Sequence, residues 1–190
     1  DLLQLSAGEM AASRNTFARA VELARKISNL NSLLSSQINL GILLMEQGKF
    51  DAAQGMLEEV SESSRRNGQK YQECLAWLNL GDLSVERDRY EEARDRYDRA
   101  SRLAEELSLE VEHALCDVGR AHILLNETSQ EGWQQGCHAS LDDTRLNNAS
   151  DALEGALSVL REAGEEAGVS DTLRILGAVR LRQALALVSA

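Results

Sequence analysis

The stretch Gln47-Gly48-Lys49-Phe50-Asp51-Ala52-Ala53 has a counterpart forty residues earlier, Ala7-Gly8-Glu9-Met10-Ala11-Ala12-Ser13, and another forty residues later, Arg87-Asp88-Arg89-Tyr90-Glu91-Glu92-Ala93. A fixed period between 20 and 50 residues marks stacked supersecondary units, none of which buries its apolar face alone. Outward from each copy the apolar residues follow helical spacing. Leu33, Ile38, Leu40, Leu43 and Leu44 precede Gly48, and Phe50, Ala53, Met56, Leu57 and Val60 follow it. Each unit therefore reads as two antiparallel helices joined at Glu46-Gln47-Gly48-Lys49 or its equivalent, and Arg87-Asp88-Arg89 makes the same bend without glycine.

Composition supports helix. The 190 residues contain no proline and 4% aromatic residues, 43% are hydrophobic and 27% charged. Proline breaks helix interiors, and Ala, Leu, Glu and Arg are strong helix formers. The expected map has a stub at 1–5 and helices near 10–28, 31–47, 50–66, 70–87, 90–107, 109–126, 146–166 and 169–188. Repeat units are expected at 1–28 (partial), 31–66, 70–107, 109–166 and 169–190 (partial), within one solenoid domain over 1–190. Glycines 41, 81, 119 and 177 each cost about 1 kcal/mol in a helix interior. Close helix contact opposite Ala53 or Ala93 is the expected compensation. The third unit carries an acidic insertion at 127–145 that reads as a loop and contains Trp133. Trp133 either anchors on a partner or tucks back onto the array, and the segment is otherwise a tolerated surface insertion.

The sequence excludes several functions. A net charge of −11 argues against binding a phosphate backbone. No segment reaches the roughly 18 uncharged apolar residues of a membrane span, and no signal-peptide order opens the chain. A cytoplasmic protein is expected, with the nucleus open. Cys74, Cys116 and Cys137 are odd in number and lack CxxC spacing, so they form no disulfide framework. His113, Cys116 and Asp117 share a helical face, but nothing supplies a fourth ligand, so no metal or cofactor is expected and Cys116 reads as a small buried hydrophobe. No nucleophile triad, phosphate loop or HExxH spacing occurs, and pairs such as Glu58-Glu59 and Glu91-Glu92 read as solvated faces, so no catalytic residue and no enzyme are expected.

Trp77-x2-Leu80-Gly81-x2-Ser84 followed by Ala93-x3-Tyr97 and Ala100 resembles the tetratricopeptide repeat pattern, with weaker copies at Leu40-Gly41-x2-Leu44 with Ala53 and Leu57 and at Val118-Gly119-x2-His122. The closing proline is missing and the period is longer than the family's, as in the arrays of kinesin light chains and Pins-type adaptors. The resemblance implies an all-α, right-handed superhelical solenoid, here a fragment of a longer array because Asp1 and Ala190 fall in mid-pattern. It also implies a concave groove lined by the first helix of each pair. Carried over by position around each glycine, the partner-binding residues are Asn39, Ile42, Glu46, Asn79, Asp82, Glu86, Asp117 and Arg120, beside Ile38, Met45, Leu78, Val85, Cys116 and Ile123.

Asn39 and Asn79 sit in mid-helix, where asparagine has mediocre propensity. Their amides either grip a partner's extended backbone or bond a neighbouring helix or water. The expected function is a protein–protein interaction scaffold or adaptor binding a peptide segment with basic and aliphatic residues. The alternatives are a regulatory or sensor region controlling an effector domain, and a structural segment of a larger solenoid. Leu173, Leu176, Val179, Leu181, Leu185 and Leu187 on the last helix predict an exposed apolar strip and self-association.

Overall fold

The computed structural model describes residues 2–26, 28–134 and 143–189. They form eight α-helices: α1 (Leu2–Lys26), α2 (Leu30–Glu46), α3 (Phe50–Arg66), α4 (Lys70–Glu86), α5 (Tyr90–Leu107), α6 (Glu110–Gln134), α7 (Asp143–Ala163) and α8 (Glu166–Ser189). There is no strand among the described residues. Each helix packs against the next, which makes the chain an all-α helical repeat solenoid.

The turns show why the chain reverses where it does. Gly48 and Asp88 both take left-handed φ, +69° and 56°, and in both turns a backbone N–H three residues past the helix end reaches back, Lys49 to Leu44 and Arg89 to Ser84. Left-handed backbone is cheap for glycine and tolerated by aspartate, so Asp88 replaces Gly48 in the same motif. Asn29 caps α2 by accepting from the Ser32 N–H at 3.0 Å.

Burial separates the helices into two kinds. α3 and α5 each bury a single stripe, in α5 Ala93, Tyr97, Ala100, Ser101 and Ala104. α4 buries residues on two faces: Ala76, Leu80 and Leu83 join the core with α2 and α3, whereas Cys74, Leu78 and Val85 join the core with α5 and α6. α6 does the same, giving Ala114, Val118, Ala121 and Leu125 to a third core with α7 and α8. A helix covered on both sides must be apolar nearly all round, which explains the runs Cys74-Leu75-Ala76-Trp77-Leu78 and His122-Ile123-Leu124-Leu125.

α2, α4, α6 and α8 also touch one another in succession, and among the described residues no such contact links α1, α3, α5 and α7. One layer is thus more tightly spaced than the other. The stack curves towards the tight layer, whose open side is the concave face.

Several expectations are corrected. The stub at 1–5 and the helix at 10–28 are one helix, α1. The expected loop at 127–145 is helical at both ends, because α6 continues to Gln134 and α7 begins at Asp143. Arg94 of α5 draws Glu127 into an ion pair, and Glu127 also lies 3.7 Å from Arg145, so charge holds the extra turns against the array despite the weak helix propensity of Thr128 and Ser129. The helices expected at 146–166 and 169–188 meet instead at a turn around Gly164, φ +72°. The nearest neighbours of the helix glycines are larger than the expected Ala53 and Ala93. A Cβ on Gly41 would meet Leu57 at 3.0 Å, one on Gly81 or Gly119 would enter the Tyr97 ring, and one on Gly177 would meet nothing.

Candidate functional site

Tyr97 links the two layers. It projects from α5 into the seam between α4 and α6, where Gly81 and Gly119 leave room for its ring, and its side chain is 1% exposed. Its hydroxyl crosses to the concave side and donates to Asp82 Oδ1 at 2.7 Å. Asp82 is open to solvent yet surrounded by protein in the concavity. That surrounding bulk, with Asp171 of α8 and Glu86 nearby, pushes its pKa up to about 6, against the opposing effect of the Tyr97 hydrogen bond. The same environment drives the Tyr97 phenol well above its ordinary range.

Other side chains complete the site. His122 on α6 is half-buried; burial first and Arg174 second lower its pKa, while Glu86 and Asp171 oppose them. Arg174 lies 3.6 Å from Asp171. Three helices of the tight layer therefore contribute titratable groups that sense one another: Asp82 and Glu86 from α4, His122 from α6, Asp171 and Arg174 from α8. Carboxylates outnumber Arg174, so this part of the groove favours a positive side chain.

Asn39, Ile42 and Glu46 occupy on α2 the positions of Asn79, Asp82 and Glu86 on α4, since Leu30 and Lys70 open these helices forty residues apart. Asn39 and Glu46 are exposed and Ile42 half-buried. The Asn79 amide donates to the Leu75 carbonyl at 2.7 Å, so part of its capacity is spent on its own helix and Oδ1 remains to accept.

Asp117 and Arg120 do not join this group. Arg120 bonds Asp117 at 2.8 Å and Asp98 of α5 at 3.0 Å, and its Nη2 reaches the Tyr97 carbonyl at 3.5 Å. The bonds to Asp98 and Tyr97 are contacts to the outer layer. The reason is register: α4 and α6 open at Lys70 and Glu110, which places Ala121, not Gly119, at the position of Gly81. Gly119 then corresponds to Asn79, and His122 to Asp82. Counting forty from Asp82 would have found His122 in the sequence.

Two further expectations change. Ile38, Leu78, Val85, Cys116 and Ile123 are all buried between helices, so the apolar lining of the groove reduces to Ile42 and Met45. The Trp133 side chain lies outside the described residues.

Among the described residues no three His, Cys, Asp or Glu side chains converge as a metal set, and no helix is long and apolar enough to cross a membrane. Cys116 is buried, and burial pushes its thiol pKa far up, so it is packing material rather than a nucleophile.

A curved stack of helix pairs with a polar concave face defines a helical-repeat solenoid. The tetratricopeptide repeat family model matches residues 33–67, which cover most of α2, all of α3 and the turn between them. No curated protein matches the chain. Residues 33–67 thus carry the tetratricopeptide repeat signature, and such repeats generally mediate protein–protein interactions.

Proposed function

We propose that this protein is a protein-interaction scaffold that takes an extended segment of a partner along α2, α4, α6 and α8. The observation carrying this reading is Asp82, an accessible carboxylate fixed in the concavity by Tyr97 and crowded by Glu86 and Asp171. A Lys or Arg of the partner placed there would relieve their mutual repulsion. Asn39 and the free Oδ1 of Asn79 supply hydrogen bonds to a peptide backbone, and Ile42 and Met45 offer apolar contact for an aliphatic residue. Glu46 extends the acidic preference along α2. Asp117 and Arg120 serve as braces between α5 and α6, and the preference for basic and aliphatic residues belongs to the remaining six positions with His122. A cytoplasmic setting fits this role.

Affinity capture with the wild type beside Asp82→Asn/Glu86→Gln tests the reading. A partner retained by the wild type and lost by the variant is expected; identical partner sets would overturn it.

A second reading, self-association through α8, is favoured by Leu173 and Leu181, which are 45% and 63% exposed.

A further inference from the structure

The outer layer leaves a cleft between α5 and α7, which do not touch among the described residues. It encloses about 470 Å³ and is floored by Ala114 of α6 and Ala156 of α7, each 4% exposed, with Gly155 in one wall. Glu105, Glu110 and Asp117 stand at its rim with His113, which lies 3.2 Å from Glu105 and 3.6 Å from Asp117. The floor is made of the smallest apolar side chains, and the rim has three carboxylates and no lysine or arginine.

One unit earlier the equivalent cleft, between α3 and α5, is furnished differently. There Trp77 presents its ring, Arg99 stacks on it at 4.7 Å from the ring centre, and the indole N–H points at Glu73 at 3.5 Å. The chain thus supplies its own aromatic ring and its own cation. Forty residues on from Glu73 and Trp77 stand His113 and Asp117, so the later cleft has neither the ring nor the cation.

We propose that the α5/α7 cleft is a second binding site, on the outer layer, for a polypeptide partner that inserts one aromatic side chain flanked by Lys or Arg. The aromatic ring would cover Ala114 and Ala156, and the adjoining cation would meet Glu105 and Glu110, reproducing from outside the pairing that Trp77 and Arg99 make within the chain. Charge complementarity selects this occupant: an acidic segment would meet the carboxylates of Glu105 and Glu110, whereas a basic one neutralises them, Asp117 being already paired with Arg120 at 2.8 Å. The site is separate from the concave face and does not depend on the groove reading.

The test uses the blocked dipeptide Ac-Trp-Arg-amide and its counterpart Ac-Trp-Glu-amide, titrated into the protein while backbone amide NMR shifts are followed. Saturable shifts at Ala114, Gly155 and Ala156 are expected with the basic probe, and about fivefold weaker binding with the acidic one, the scale of a few exposed ion pairs. Gly155→Leu should abolish the shifts by filling the cleft. That variant should keep the fold, because a Cβ at position 155 meets nothing within 4 Å and leucine favours helix over glycine, and circular dichroism checks that it does. Absence of shifts at the cleft, equal affinity for both probes, or undiminished binding by folded Gly155→Leu would each overturn the proposal.

Discussion

Tyr97 gives Asp82 a hydrogen bond, and Asp82 nevertheless holds its proton to about pH 6. The sign of the consequence follows from linkage. An aspartate in the unfolded chain ionises near 3.8, so between about pH 4 and 6 the folded state binds the proton more tightly. Stability contributed by Asp82 therefore falls as pH rises through that window and stays reduced above it. Asp82→Asn keeps an oxygen to accept from Tyr97 but has no charge to desolvate. Its melting temperature should exceed the wild type's at pH 7.5, by about 1 kcal/mol of stability after allowing for solvent screening, and the gap should close near pH 4. A gap independent of pH would mean that the carboxylate is unperturbed. The shared helical face of Asp82 and Glu86 was legible from their place around Gly81. The raised pKa was not, because it comes first from the burial that the stacked helices impose and then from Asp171 of α8, 89 positions away in the chain.

Glycine at the centre of a helix means different things in different helices of this chain. On α4 and α6 it admits the Tyr97 ring, and on α8 it admits nothing. Gly119→Ala should destabilise the protein by about 2 kcal/mol through overpacking, and Tyr97→Leu in the same chain should recover part of that loss. Gly177→Ala should instead add about 0.5–1 kcal/mol, since alanine costs less helix entropy and its methyl group is free. Chemical denaturation of the three variants would check both signs, and a stabilised Gly119→Ala would refute the close approach of the Tyr97 ring to Gly119. Local sequence could not separate these cases because each glycine follows an apolar residue in an apolar run. Helix boundaries were far more legible than helix neighbours: α3 and α5 start and stop where periodicity and turn residues place them. α6 was misjudged because its last two turns rest on the Arg94–Glu127 pair, a contact between elements, while Thr128, Ser129 and Gly132 all argue locally for a loop. One unit earlier the position of Glu127 holds Arg87, which bonds Gln54, the counterpart of Arg94, at 3.1 Å and Asp51 at 2.9 Å. Counting forty from Arg87 to Glu127 was the one signal of it in the sequence.

At the scale of the whole molecule, α8 differs from α4 and α6 in being covered on one side only. Ile175, Leu176 and Val179 enter the core with α6 and α7, whereas Leu173 and Leu181 face outward. Two copies meeting through this face would bury four such leucines, each already about half covered. At roughly 1 kcal/mol per side chain for the remaining area, the gross gain is about 4 kcal/mol. That corresponds to a dissociation constant on the order of 1 mM before any loss of rigid-body freedom is counted. Self-association through α8 should therefore be weak and visible only at the highest concentrations reachable in sedimentation equilibrium. Leu173→Glu/Leu181→Glu should remove it without unfolding the protein, because neither side chain belongs to the core. A wild type that stays monomeric throughout would leave the face uninvolved. A tight dimer would require contacts beyond these leucines and would place the interface on another surface.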